Sequence, residues 1–345
     1  MNISKSQEKW MAVALDLAAR AWGQTTPNPM VGCVIVNDEQ LVGEGYHHKA
    51  GGPHAEVNAI ADAGDQANGA TAYVTLEPCC TTGRTGPCTS ALINAQISRV
   101  IIGSLDPNPT HAGRGVEILA KAGIDVSYGV LEQDCLLLNE AFFKWILEKK
   151  PFVLLKMAMT LDGKIATKDG QSQWITGPDA RSRVQKLRQW SDAIMVGGET
   201  VRSDSPSLTI REIEDWPYQP QRIIISRVMS VDDAEQLMPK GNKPQVYNPE
   251  TKDQWNQLLL DLGSQNIMAV LVEGGGELAA AALEAGIVDK VEFHIAPKIL
   301  GGKNSRPVIA GINPTHLSEA LSLVNVKNFS LGNDFAISGY IVDLV

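Results

Sequence analysis

The 345-residue chain is 44% hydrophobic and 20% charged, enough apolar material for ordinary globular cores, and its length suggests two domains. Its formal net charge of −9 argues against a nucleic-acid partner, because neutralising a phosphate backbone takes a basic surface. No stretch approaches the ~20 apolar residues of a membrane span, so a soluble, cytoplasmic protein is expected.

The first apolar residues, Trp10, Met11, Val13, Ala14, Leu17 and Ala18, repeat at helical spacing and predict an amphipathic core helix rather than a signal peptide. MVGCVIVN and LVGEGYH predict a strand pair turning at Asn37, Asp38 and Glu39. HAEVNAIADAG then reads as helix, ATAYVTLEP as strand, CTSALINAQI as helix and RVIIGSLDP as strand. GVEILAKAG follows as helix and IDVSYGV as a short strand. CLLLNEAFFKWILEKK reads as one helix, ended by Pro151, which cannot continue it. A domain boundary is placed there, giving 1–149 and 150–345.

A second α/β series begins with the strand PFVLLKMAMT and the helix PDARSRVQKLRQWS. DAIMVGG, QRIIIS and NIMAVLVEGG are strands, GELAAAALEAG a helix and KVEFHIAP a strand. NFSLGN and DFAISGYIVDLV are the last two strands, and the segment from about Thr200 to Pro220 is rich in loop.

Five cysteines, with no leader to suggest export, argue against a disulfide framework. Cys79, Cys80 and Cys88 cluster beside Pro and Gly, which points to metal or catalysis; Cys33 and Cys135 sit in apolar runs and read as core packing. His54, Cys79 and Cys88 make three ligands for a tetrahedral zinc, leaving the fourth position to water. Zinc brings the pKa of water toward neutrality, and Glu56, two residues past the histidine, is placed to carry protons from that water to a leaving amine. The His-x-Glu…Pro-Cys pattern is that of zinc nucleobase deaminases, although the second half here is Cys79-x8-Cys88 rather than Cys-x-x-Cys. A structural zinc site would need a fourth protein ligand, for which Cys80 or His47 is available.

In the second half, Gly274, Gly275 and Gly276 join a strand to a helix whose free N–H groups suit a phosphate. A tight turn alone explains three glycines equally well, and the pattern is not the Gly-x-Gly-x-x-Gly fingerprint.

With HAEVNAI before it, TLEPCCTTGRTGPCTSAL resembles the deaminase domain of the RibD family of bifunctional riboflavin biosynthesis proteins. So do Thr26-Pro27-Asn28-Pro29, Gly43-x-Gly45-x-His47, Asp106-Pro107-Asn108-Pro109 and Gly113-Arg114-Gly115. KMAMTLDGKIA, SQWITG, VQKLRQWSDAIMVG, DSPSLTIR, LVEGGGELAAAAL and IAPKILGG resemble its reductase domain.

The resemblance implies a cytidine-deaminase-like α/β domain, a mixed sheet covered by helices, followed by a dihydrofolate-reductase-like one. The first would hydrolyse the ring amine of a small phosphorylated ribosylamino-pyrimidinone; the second would then reduce the ribosyl chain with NADPH. It implies zinc on His54, Cys79 and Cys88, with Glu56 as proton donor. Asn28, His47, Asp106 and Asn108 would line the pyrimidine and ribose-phosphate pocket; without the family match, Asn28 and Asn108 read as turn residues beside proline. NADPH would meet Ala158, Trp174, Thr200, Asp204, Gly275, Gly276, Glu277, Leu278, Ala279, Ala280 and Ala281. The reductase substrate would meet Ser172, Arg188, Leu208, Arg211 and Glu273, the two arginines gripping its phosphate. Taken alone, Arg188 reads as a solvated helix position and Trp174 as a buried packing aromatic. Lys156 and Asp204 are further candidates to orient the sugar or donate a proton. Thr81, Gly86 and Glu199 depart from the family pattern. A homo-oligomer is compatible with the sequence, which fixes no number. The rival functions are a base, nucleoside or tRNA-adenosine deaminase fused to another domain, and a non-catalytic module with structural zinc.

Overall fold

The computed structural model describes residues 3–81, 86–108, 111–211, 213, 216–312 and 314–341. Residues 82–85 between Cys79 and Cys88, Pro109, and the end of the last predicted strand at 342–345 lie outside them. The chain divides into two compact units, Met1–Lys149 and Lys150–Val345.

The first unit runs α1 (Lys5–Ala19), β1 (Gly32–Asn37), β2 (Gln40–Tyr46), α2 (Ala55–Ala63), β3 (Thr71–Leu76), α3 (Cys88–Asn94), β4 (Arg99–Ser104), α4 (Arg114–Lys121), β5 (Asp125–Tyr128), α5 (Glu132–Leu138) and α6 (Glu140–Glu148). Its mixed sheet has the order β2-β1-β3-β4-β5, antiparallel up to β3 and parallel beyond it. Both faces are covered. Cys33, Ile35, Val74 and Ile102 pack under α2 and α3, while Val34, Val36, Tyr73 and Ile101 pack under α1 and α5. This two-sided burial is why the central strands read as unbroken apolar runs. Asp38 and Glu39, both at positive φ, close the β1–β2 hairpin, as the short polar turn predicts. The helix expected from Cys135 onward is broken in two at Asn139. That side chain donates to Met30 O and accepts from Met30 N, both at 2.8 Å, and the tertiary pair replaces helical continuity.

The second unit contains β6 (Phe152–Thr160), β7 (Lys164–Ala166), α7 (Pro178–Trp190), β8 (Ala193–Gly197), α8 (Gly198–Asp204), β9 (Gln221–Ile225), α9 (Val231–Leu237), β10 (Gln245–Tyr247) and α10 (Lys252–Ser264). It continues through β11 (Ala269–Glu273), α11 (Gly276–Ala285), β12 (Lys290–Ala296), β13 (Arg306–Pro307), β14 (Val324–Leu331) and β15 (Asp334–Tyr340). Eight strands form one sheet, β10-β9-β8-β11-β6-β12-β15-β14, parallel from β10 to β12 and antiparallel thereafter. Val153, Leu155 and Met157 of β6 face α10 and α11; Leu154 faces the core that Leu187 of α7 joins. The sequence reading missed β7, α8, α9, β10, α10 and β13. For α10 the signals were present: Thr251 and Gln254 form a reciprocal capping box, and Trp255, Leu258, Leu259 and Leu262 make its buried stripe.

Candidate active sites

In the first unit, three elements converge. His54 caps the start of α2 in extended conformation, Cys79 follows β3, and Cys88 is the first residue of α3. The glycines of the Gly43-x-Gly45 motif let α2 lie directly on β2: a Cβ on Gly45 would come within 2.6 Å of Ala55 O, and one on Gly43 within 2.8 Å of Ala63 N. That approach sets the height of the α2 N-terminus, and with it His54 and Glu56.

His54 Nδ1 lies 3.2 Å from Cys88 Sγ and 3.5 Å from Cys79 Sγ, and the three donor atoms fall within 4.8 Å of one another. Tetrahedral zinc, with bonds of ~2.3 Å to sulfur and ~2.0 Å to nitrogen, spaces such ligands roughly 3.6 Å apart, so this donor set fits the ion. Among the described residues this is the one such cluster of three. Both reserve ligands are engaged elsewhere. Cys80 Sγ faces His111 Nδ1 at 3.5 Å, and His47 spends Nδ1 on Pro53 O and Nε2 on Asn28 Nδ2, each at 3.0 Å.

The electrostatics follow from the crowding. The Cys88 thiol and the His54 ring hold Cys79 down to about 4, and the Cys88 backbone N–H donates to its sulfur. Contact with Cys79, then burial, pushes the Cys88 thiol up. Glu56 is 3% exposed, and burial, then the Cys79 charge, raises its carboxyl above the ordinary range. Burial lowers His47, keeping it a neutral ring whose Nδ1–H donates to Pro53 O.

A cavity of about 280 Å³ opens on this cluster. His54, Glu56 and Cys79 line it, and so do all four polar residues expected there: Asn28, His47, Asp106 and Asn108. Phe142, Trp145 and Ile146 of α6 supply an apolar wall that the sequence reading did not assign. Glu77 was also missed as a working residue. Its buried carboxylate accepts from the N–H groups of Asp106 (3.2 Å), Gly113 (3.0 Å), Gly115 (2.9 Å) and Val116 (3.3 Å). It thereby caps α4 and ties the Cys79 segment to the Asp106 loop. Gly115 is required at this junction, since a Cβ there would also press within 3.1 Å of Glu77 Oε1.

In the second unit, two cavities of about 520 and 400 Å³ share Lys156, Ala158, Ser172, Ile175 and Glu273 as common wall. The larger takes in Thr200, Asp204 and the Gly274–Leu278 turn. The N-terminus of α11 has no side-chain cap and opens on it, and a Cβ on Gly276 would meet Pro307 O at 2.6 Å. A bare helix N-terminus and a close backbone suit a pyrophosphate, so these residues fit a dinucleotide. The smaller cavity takes in Trp174, Arg181, Gln185, Arg188 and Arg211.

Several expected contacts fall elsewhere. Leu208, 2% exposed, packs in the core with Val201 and Leu187, so its side chain reaches neither cavity. Ala279 is in the core beneath α11, and Ala280 and Ala281 are turned away from the cavity as well, because only the first turn of that helix faces it. Trp174 is 65% exposed, which overturns its reading as a buried aromatic, and it lines the smaller cavity with the Arg181 guanidinium 4.8 Å over its ring. Arg188 is not a solvated helix position either. Its Nε and Nη2 donate to the two carboxylate oxygens of Glu273 at 2.7 and 2.9 Å, and Nη1 to Thr209 O. Three of its five N–H donors are thus spent within the protein, whereas Arg211 and Arg181, which also line the smaller cavity, carry no such carboxylate clamp among the described residues. Burial alone would raise Glu273, but Arg188 holds it below the ordinary range. Burial lowers Lys156, with Glu273 opposing.

Residues 4–104 match the cytidine and deoxycytidylate deaminase zinc-binding region, and residues 151–337 match the RibD C-terminal domain. The chain is 43% identical to the riboflavin biosynthesis protein RibD of Actinobacillus pleuropneumoniae, covering 96% of this chain and 94% of the relative. It belongs to the RibD family. It is 44% identical to RibD of Escherichia coli, over 85% of this chain and 88% of the relative. Acinetobacter baumannii RibD superposes with a TM-score of 0.86 at 38% identity, over 97% of this chain and 99% of that one. A Thermotoga maritima structure named a diaminohydroxyphosphoribosylaminopyrimidine deaminase/5-amino-6-(5-phosphoribosylamino)uracil reductase superposes at 0.84 with 36% identity, over 97% and 98%. As a RibD-family member this chain is a bifunctional enzyme of riboflavin biosynthesis, with a zinc-binding deaminase domain ahead of a reductase domain. No helix among the described residues is long and apolar enough to cross a membrane.

Proposed function

We propose that the first unit hydrolyses the ring amine of 2,5-diamino-6-(5-phosphoribosylamino)pyrimidin-4-one, and that the second reduces the ribosyl chain of the resulting uracil to ribityl with NADPH. The observation that carries this reading is the convergence of His54 Nδ1, Cys79 Sγ and Cys88 Sγ beside a cavity that His54, Cys79, the buried Glu56 and four polar residues line.

His54, Cys79 and Cys88 would hold one zinc ion. Bound there, the ion would supply Lewis acidity that brings the pKa of water toward neutrality. Glu56, on the first turn of α2 beside the ligands, takes the proton of the attacking water and delivers it to the departing amine, which leaves as ammonia while the ring carbon gains oxygen. Asn28, held by the neutral His47, and Asp106 with Asn108 present fixed hydrogen-bonding groups to the pyrimidine and its sugar phosphate. Phe142 and Trp145 offer the ring an apolar surface.

In the second unit, Thr200, Asp204 and the Gly275–Leu278 turn, which line the larger cavity, would hold NADPH, and Ser172, Arg181 and Arg211, which line the smaller one, would hold the ribosyl phosphate. NADPH, when bound there, would supply the hydride that the anomeric carbon needs. Opening the furanose also requires a proton on the ring oxygen. Lys156 is the cationic side chain common to both cavity walls, and it delivers that proton where the two ligands meet. Glu273, pinned by Arg188, stands across from it and orients the sugar hydroxyls.

Purified protein incubated with the diaminopyrimidinone ribosyl phosphate and followed by mass should exchange one NH for O without NADPH, and gain two hydrogens only when NADPH is added. Recovery of unchanged substrate, with turnover of free cytosine, cytidine or tRNA instead, would overturn the assignment.

A further inference from the structure

Two Arg–Glu pairs of the second unit, each with a carboxylate gripped on both oxygens, differ in where they stand. Arg188–Glu273 lines the cavities, whereas neither Arg183 nor Glu292 lines either one. Yet the second pair is equally well built. Arg183 Nε donates to Glu292 Oε1 at 2.9 Å and Nη2 to Oε2 at 2.8 Å. His294 Nε2 lies 2.8 Å from the same Oε1.

The register explains what this buried carboxylate faces. β11, β6 and β12 are adjacent parallel strands, and Glu273, Lys156 and Glu292 are Cα partners across them. In-register residues on parallel neighbours project from the same face at the strand spacing of about 4.8 Å. The sheet therefore carries a row of acid, amine and acid, and α7 lays one arginine on each acid. His294 is fully buried, and burial lowers it below its ordinary range, so it is a neutral donor to Glu292; its Nδ1 has no partner among the described residues. Burial would raise Glu292, but His294 and Arg183 hold it at about 2, so it is charged whenever the enzyme works. A carboxylate at 2% exposure is costly to desolvate, and a hydrophobic residue could fill the same space.

We propose that Glu292 is a positioning residue of the reductase: clamped by Arg183 and His294 behind the cavity wall, it is the fixed negative neighbour that keeps the Lys156 ammonium charged and directed into the cavities. The inference rests on Lys156 being the proton source assigned above. The charged and titratable groups around Lys156 are Glu273 from β11, Glu292 and His294 from β12, Arg183 and Arg188 from α7, and Arg211 from the loop after α8.

The test titrates Lys156 itself in the full-length protein, by NMR of ¹⁵Nζ-labelled lysine, with its signal assigned by its loss in Lys156→Met. Glu292→Gln removes the negative neighbour, so the Lys156 midpoint should fall by about one pH unit or more. Arg183→Met leaves Glu292 unneutralised, so the midpoint should rise. Glu292→Asp should restore most of the wild-type value. The alkaline limb of NADPH-dependent turnover should move in the same two directions, because the protonated amine is the working form. A general packing defect predicts no such opposite signs. Midpoints that stay put, or that move together in both variants, overturn the role of Glu292 even if Lys156 remains the proton source. Midpoints that split as expected while the reductase profile stays fixed overturn Lys156 as the proton source, and this proposal with it. Should Glu292→Gln fail to fold, Arg183→Met decides alone: a raised midpoint supports the proposal and an unchanged one sinks it.

Discussion

The two candidate sites solve the same problem, a charged group in a dry place, by different means. In the first unit the chemistry is gathered at the ends of elements: the start of α2, the end of β3 and the start of α3. A ligand and its proton carrier sit two residues apart, and the second ligand pair is close in sequence. In the second unit the charges lie in mid-sheet, as a row across three strands, neutralised by one helix. Element ends can be written as a motif; a row across a sheet exists only once the register is set.

The sharpest way to break that comparison is to remove the proton carrier alone. Glu56→Gln keeps the shape of the first cavity and all three ligands, so zinc measured by elemental analysis should stay at the wild-type level. Deamination should fall by about 10²–10⁴-fold, the usual share of a general acid–base group. Reduction of directly supplied aminouracil substrate should be unchanged, since the second unit's own residues line both reductase cavities. A loss of zinc, or deamination within a few fold of wild type, would remove Glu56 from its role.

How much of this was readable beforehand follows from the same contrast. His54, Glu56, Cys79 and Cys88 were legible because their spacing and residue types name a coordination chemistry. Asn28, His47, Asp106 and Asn108 needed the family resemblance, since each alone is an ordinary turn or strand-end residue. Glu77 stayed invisible because its role is defined by N–H groups 29 to 39 residues further on. Arg183 meets Glu292 across 109 residues and Arg188 meets Glu273 across 85, distances at which no spacing rule operates. The same long-range pairing makes Arg188 an internal clamp on Glu273 as well as a residue of the smaller cavity's wall. In the fold, strong two-sided strands were legible, whereas the Asn139 break required knowing that Met30 would arrive beside it.

A smaller effect sharpens the picture of the first site as one braced from behind. Glu77 satisfies four backbone N–H groups with two oxygens. Glu77→Gln replaces one acceptor with a donor facing donors, stranding two of those groups at about 1–3 kcal/mol each. The melting transition of the first unit should fall by about 5–20 °C. Zinc affinity, read by chelator competition, should fall by about 10–100-fold, because the Cys79 segment loses its anchor. An unchanged affinity beside a lowered melting point would make Glu77 a stability residue only.

The smallest expected effect concerns the row itself. Glu292 ionises at about 2 in the folded chain, against its ordinary 4.5. A depressed carboxyl stabilises the fold fully above 4.5, and that contribution drains away as pH falls from 4.5 toward 2. Two and a half pH units correspond to roughly 3 kcal/mol over that window. Urea unfolding, followed by hydrogen-exchange labelling of β6 and β12 peptides, should therefore show stability declining steeply between those pH values. In Arg183→Met the decline should be shallower, because Glu292 loses one of the two partners that depress it while His294 remains. Equal slopes in the two proteins would mean that other carboxylates set the acid limit, and that the Arg183 clamp contributes geometry rather than charge.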